Sequence, residues 1–295
     1  MPDFFPTFKK IESKIKKKKN TLVYTKIKSD LDTPVSAYLK ICKQQKNSFL
    51  LESVQDGSFR GRYSIIGMKP DIIWKCQNNK AYIKNIHSTK NKNFVCQKEP
   101  PLISLSKIIK KSQIKFPDDL PPMSAGLIGY LGYETIEMYE NIPKRKSSVL
   151  ILPDGFFIRP TIMAIFDNIK NEGILASPLW YSENSKISSS YKIKLSSLKK
   201  IISDINSQIN PKFKNNLTNK PFKKPRSNIN KKLFFTMVKK AKEYIFSGDV
   251  FQVVLSQRFN TNYLLPAFEL YRSLRSLNPS PFLFYLNFEN LKNSS

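Results

Sequence analysis

The stretch Ser247-Gly248-Asp249-Val250-Phe251-Gln252-Val253-Val254-Leu255-Ser256-Gln257-Arg258-Phe259 joins an amphipathic helix to an apolar run. Upstream, Leu233, Met237, Ala241 and Tyr244 recur at helical spacing, and Val238 and Ile245 widen the same face. Gly248 is the expected stop, because glycine alone enters the left-handed C-terminal position without steric cost. From Phe251 the run is β-branched and apolar, which predicts a strand over 251–259. Gln252 and Gln257 interrupt it. A glutamine inside a buried strand must find hydrogen bonds there or face a cleft, so Gln252 is the polar residue to follow.

Together with LYRSLRSLNPSPFLFYL at 270–286, the motif GDVFQVVLSQRF resembles the start of the chorismate-binding domain of the anthranilate synthase component I family. The wider family makes anthranilate, aminodeoxychorismate, isochorismate or salicylate from chorismate. By that resemblance, members that add water carry a lysine, their general base, where this chain has Gln252. Members that add ammonia carry glutamine. An amide has no pKa in the useful range and cannot deprotonate water. Gln252 is therefore read as a catalytic residue that orients and does not ionise.

The 295 residues are enough for two domains or one large one, and 40% hydrophobic content supports a sizeable core. No apolar run is long enough for a transmembrane helix. The first residues do not read as a signal peptide. Lysine plus arginine number 50 against 22 acidic residues, a formal charge of +28. The excess is mostly lysine, scattered without a nucleic-acid motif, so it reads as solvated surface, with no nucleic-acid or membrane partner. Such a surface also favours capture of a dicarboxylate such as chorismate. Cys42, Cys76 and Cys96 lie far apart without a CxxC pair, which argues against structural zinc and for reduced thiols in a cytoplasmic protein. His87, the only histidine, sits in a polar stretch and reads as surface. Ser-His-Asp, Cys-His and HExxH chemistry are hard to assemble from these residues.

Residues 1–20 read as a mobile basic arm, and 21–27 alternate like an edge strand. Asp32-Thr33-Pro34 starts a helix that buries Val35, Tyr38 and Ile41 or Cys42. An apolar strand, SFLLESV at 48–54, ends in Glu52 and Ser53; Gly57 turns the chain into a returning strand, RGRYSIIG, at 60–67. LLES followed by GRYSIIG resembles the N-terminal signature of the same family, whose LLES serine lines a tryptophan inhibitor pocket. Glu52, Ser53 and strand carbonyls could accept from an amino-acid ammonium. A hairpin is expected over 71–86 with its turn at Asn78-Asn79, then a helix over 103–114 with Leu105, Ile108 and Ile109 inward. GLIGYLGYE at 126–134 lacks the pattern of a phosphate loop; spaced glycines there suit close backbone packing, and the segment resembles the same family. Strands are predicted over 150–154, 156–167 and 173–181. A helix follows over 187–209, with Leu195, Leu198, Ile202 and Ile205 inward, and then a Lys/Asn/Pro-rich linker over 210–230.

Pro266 opens the next helix, whose inward residues are read as Ala267, Leu270, Tyr271, Leu274 and Leu277; Pro279 and Pro281 stop it. A strand over 282–288 follows. By the resemblance, Pro281-Phe282-Leu283 closes the tryptophan pocket against the LLES segment, with Leu283 standing for the family's usual methionine at similar volume.

The resemblance implies an α/β (α+β) fold of large antiparallel sheets packed together and flanked by helices, incomplete at its C-terminus. It implies an N-terminal regulatory domain over 21–209 and the start of a catalytic domain over 231–295. The family's catalytic glutamates, histidine and magnesium ligands lie beyond Ser295, so Mg2+ has no ligand assigned in this chain, and an inactive N-terminal fragment is expected. The implied reaction converts chorismate and ammonia to anthranilate and pyruvate, with ammonia from a glutamine amidotransferase subunit and inhibition by L-tryptophan. Aminodeoxychorismate synthase component I and a non-catalytic tryptophan-binding module are the alternatives.

Overall fold

The computed structural model describes residues 2–55, 59–88, 93–142, 152–183, 186–210, 223–278 and 280–289. The turn at Gly57, most of the 210–230 linker, the first residues of the strand expected at 150, Pro279 and the terminal residues 290–295 lie outside them. The class is mixed α/β, with a large antiparallel sheet flanked by helices. Among the described residues there is one large sheet, of nine strands, not several.

The backbone of that sheet is the order β1 (Thr21–Lys28), β8 (Glu172–Leu179), β7 (Gly155–Asp167), β3 (Phe59–Gln77), β2 (Ser48–Gln55), β11 (Phe282–Asn287). Every pairing is antiparallel. The 19-residue β3 absorbs two segments read separately from sequence, because the chain stays in the ladder across an irregularity at Pro70. Its far end pairs with β4 (Lys80–Asn85) through Asn78 and Asn79, both at positive φ, as the hairpin turn requires. β6 (Ile128–Leu131) pairs with the start of β7, and β4 with the two residues of β5 (Val95–Cys96). One core cluster buries Phe49, Ile65, Ile73, Phe156, Met163, Ile165 and Phe288.

Gly129 shows why the strand at 126–134 is glycine-spaced. A Cβ there would stand 1.9 Å from the carbonyl oxygen of Phe156. Backbone cannot yield as a side chain can, so Gly129→Ala should lift β6 off β7 and cost about 2–3 kcal/mol, read as a lower urea midpoint at unchanged m-value. A cost below about 0.5 kcal/mol would show that β6 has room to spare.

Helix α2 (Pro34–Cys42) starts as expected. Thr33 caps it reciprocally with Ser36, and Tyr38, Ile41 and Cys42 are buried. Helix α3 (Pro101–Lys111) buries Leu105 and Ile108, but Ile109 faces solvent, one position off the packed stripe. Helix α4 (Ile187–Ile205) buries Leu198, Ile201 and Ile205. The segment read as a mobile arm instead contains α1 (Phe8–Lys16), whose Ile11 and Ile15 are buried while its lysines stay in water. Two isoleucines one turn apart are enough to dock a short basic helix.

The chain divides into two compact units, residues 1–214 with 271–295, and residues 215–270. The division therefore differs from a single cut at the linker. In the second unit α5 (Lys231–Phe246) is capped by Asn230 and ends at Gly248, at φ +80. Of its predicted inward face only Ala241 is buried; Leu233, Tyr244 and Ile245 are exposed. The strand predicted over 251–259 does not form. Only Phe259 and Asn260 (β10) pair, with Ser227 and Arg226 (β9). A strand needs a neighbour for its backbone groups, and among the described residues the hydrogen bonds of 251–258 reach only its end, from Ser227 to Gln257 and between Asn228 and Arg258. Of the inward residues expected on α6 (Ala267–Leu277) only Tyr271 is buried; Phe268 is buried with it, whereas Leu270, Leu274 and Leu277 are exposed.

Candidate functional site

In β2 and β11 the two segments singled out from sequence become neighbours. Ser53 stands opposite Phe282 and Glu52 opposite Leu283 in the antiparallel register. The far end is pinned by Asn287, whose side-chain amide donates to the carbonyls of Gln44 and Gln45 at 3.1 and 2.9 Å. Side chains alternate between sheet faces along a strand, while directly opposed residues share a face. Glu52 and Leu283 are thus on one face, Ser53 and Phe282 on the other.

The Glu52 face is covered. Its carboxylate is 3% exposed and holds Arg275 in a two-pronged contact, Nε to Oε2 at 2.8 Å and Nη2 to Oε1 at 3.0 Å. The Tyr271 hydroxyl donates to the same carboxylate. Tyr271 and Arg275 are four apart on α6, so one helix face supplies both donors. The hydrogen bond and charge of Glu52 raise the Arg275 pKa against the cost of burial. Beyond lie Tyr285 and Tyr38, ring centroids 5.7 Å apart, with the Tyr38 hydroxyl 2.8 Å from that of Ser48.

The other face is open. Phe282 is 78% exposed and Pro281 is exposed. Ser53 donates its hydroxyl to the carbonyl of Tyr63 at 3.1 Å. A bulge faces it on β3, where the ladder steps from Glu52–Ser64 to Val54–Arg60. Gly61 fills that bulge; a Cβ on it would lie 2.2 Å from the Ser53 oxygen.

Gln252 belongs to the second unit. It is exposed, in a segment without ladder bonds, not in packed hydrocarbon. The turn before it is fixed: Ser247 bonds the Asp249 carboxylate at 2.7 Å, and the amides of Asp249 and Val250 return to the Tyr244 carbonyl. Among the described residues no group of three or more His, Cys, Asp or Glu side chains could hold a metal ion.

Residues 47–294 match the chorismate binding enzyme family. The chain belongs to that family. Anthranilate synthase component 1 of Cereibacter sphaeroides is 39% identical over 96% of this chain and 56% of its own length. The Aquifex aeolicus protein of the same name is 33% identical over 92% and 53%. The crystal structure of anthranilate synthase component I from Streptococcus pneumoniae has a TM-score of 0.60 at 29% identity, covering 86% of this chain and 53% of that one. The chain spans about half the length of the curated relatives it matches. No helix among its described residues is long and apolar enough to cross a membrane.

Tyr271 and Arg275 were missed as site residues. The sequence held a signal for them: a lone carboxylate in the apolar strand LLES must be paired, and Arg275 is one helical turn from a tyrosine already read as inward. The tyrosines also set a pH limit. Burial pushes Tyr285 up to about 12, and burial followed by Glu52 pushes Tyr271 above the ordinary phenol range. Phenols of the unfolded chain ionise near pH 10 while these stay neutral in the fold. Their contribution is full below about pH 10 and is lost as pH rises from there toward the folded-state values. Urea midpoints should fall steeply above about pH 10. Tyr285→Phe should flatten that fall; a fall equally steep in the variant would contradict it.

Proposed function

We propose that this protein acts as anthranilate synthase component I, a lyase of tryptophan biosynthesis: chorismate and ammonia give anthranilate, pyruvate and water. In this reading ammonia comes from a glutamine amidotransferase subunit, Mg2+ serves the chorismate carboxylate, and L-tryptophan inhibits at the β2–β11 site. Gln252 orients, and the absence of an ionisable amine there favours nitrogen over oxygen as the entering atom. The observation that carries the reading is GDVFQVVLSQRF, with Gln252 in place, in a chain that matches proteins named anthranilate synthase component 1 along nearly its whole length. The opposed placement of Ser53 and Phe282 supports the inhibitor site.

The test is product analysis with chorismate, magnesium and ammonia, on a protein that carries this chain within the full length of its curated relatives. Anthranilate is expected, and Gln252→Lys should lower its yield at least roughly tenfold, the scale of losing a positioned group at a reacting centre. Aminodeoxychorismate or isochorismate as the main product of the unmodified protein would overturn the assignment.

A further inference from the structure

The core-facing row of α4, Leu198, Ile201 and Ile205, continues toward its N-terminus through Lys194, Ser190 and Ile187. A lysine and a serine thus stand where helix packing calls for apolar residues. They line a cavity of about 150 Å³ together with Ile15 of α1 and Leu179 and Trp180 at the end of β8. The polar groups of this wall are mostly donors. The Lys194 ammonium and the Ser190 hydroxyl make no hydrogen bond among the described residues. The indole N–H of Trp180 is buried without a partner.

The charge around the cavity is also uneven. Arg159 lies over the Trp180 ring at 4.4 Å and takes both oxygens of Asp71, at 2.7 and 2.9 Å. One carboxylate therefore faces two cations. Burial lowers the Lys194 pKa, with Asp71 opposing and Arg159 adding to the shift, so an acceptor with negative charge would stabilise the ammonium.

We propose that this cavity binds a short-chain monocarboxylate, its carboxylate on Lys194 and Ser190 and its tail against Ile15, Ile187 and Leu179. The volume equals roughly five waters' share of the liquid, room for a ligand of three or four carbons. Inorganic phosphate has no apolar part to cover these walls, and a single lysine does not match its charge.

The test uses propionate, with propionamide as its uncharged isostere at matched ionic strength. Propionate should raise the melting temperature of the 295-residue chain by roughly 2–4 °C at ten times its dissociation constant. It should also show saturation transfer from protein to its methyl group. Propionamide should do neither. Lys194→Met should abolish the response while keeping the unliganded melting temperature, since it replaces a buried ammonium with a thioether of similar shape. Ser190→Ala, which perturbs packing least, should weaken binding roughly 2- to 10-fold and carries the test if Lys194→Met fails to fold. A response equal for propionate and propionamide, or unchanged in both variants, overturns the proposal.

Discussion

Arg275→Met should destabilise the chain by about 3 kcal/mol, the lower end of the cost of stripping one partner from a buried pair. Glu52 is 3% exposed and cannot turn to water when its partner is lost. Arg275 is 29% exposed, which places the loss at the lower end. The Tyr271 hydroxyl would remain as the carboxylate's donor, so the fold should persist with a lower urea midpoint. Glu52→Gln combined with Arg275→Met should recover part of that loss, because no uncompensated charge remains and Tyr271 keeps an acceptor. A single-variant cost under about 1 kcal/mol, the range of exposed ion pairs, would mean that the contact exchanges freely with water. Additivity in the double-mutant cycle would mean that the two groups do not act on each other.

Ser53→Phe should weaken L-tryptophan binding by roughly 5- to 150-fold, the equivalent of the 1–3 kcal/mol that overpacking costs. The Ser53 hydroxyl already sits against Gly61 and the Tyr63 carbonyl, so a ring at 53 must turn onto the Phe282 side. That is the side the proposed inhibitor needs. Titration calorimetry on the 295-residue chain reads the affinity, and the urea midpoint of the same sample shows whether the fold survived. Unchanged affinity in a folded variant would remove Ser53 from the site and with it the tryptophan reading. Loss of binding with loss of folding is resolved by Ser53→Thr, which keeps the hydroxyl and should bind within about threefold of the unmodified chain, the scale of a surface-sized perturbation.

Much of the first unit was legible because its signals are local. Thr33-Pro34 forms its cap with nearby atoms alone, and Asn78-Asn79 turns a hairpin wherever it is placed. Other elements shifted where the deciding partner is distant in sequence. The amphipathic face of α5 marks residues that prefer burial, yet nothing in their spacing supplies a surface to cover Leu233 or Tyr244. Residues 251–258 have strand composition without a ladder. On α6 two stripes compete: leucines at 270, 274 and 277, and Phe268, Tyr271 and Arg275. The second is the one engaged, because Tyr271 and Arg275 satisfy a buried carboxylate that would otherwise be very costly.

The linear order of residues by itself determined the family, the glutamine at 252, the caps and turns, and the pairing partners in LLES and PFLF. These depend on side-chain chemistry and on spacings of a few residues. Only the tertiary structure decided that Glu52 and Ser53, adjacent in the chain, serve opposite faces of the sheet. Pleating sends one toward α6 and the other toward the open side. It also decided that Lys194 lies in a core-facing row beside a second buried cation, since β3, β7 and α4 meet there from positions more than thirty residues apart.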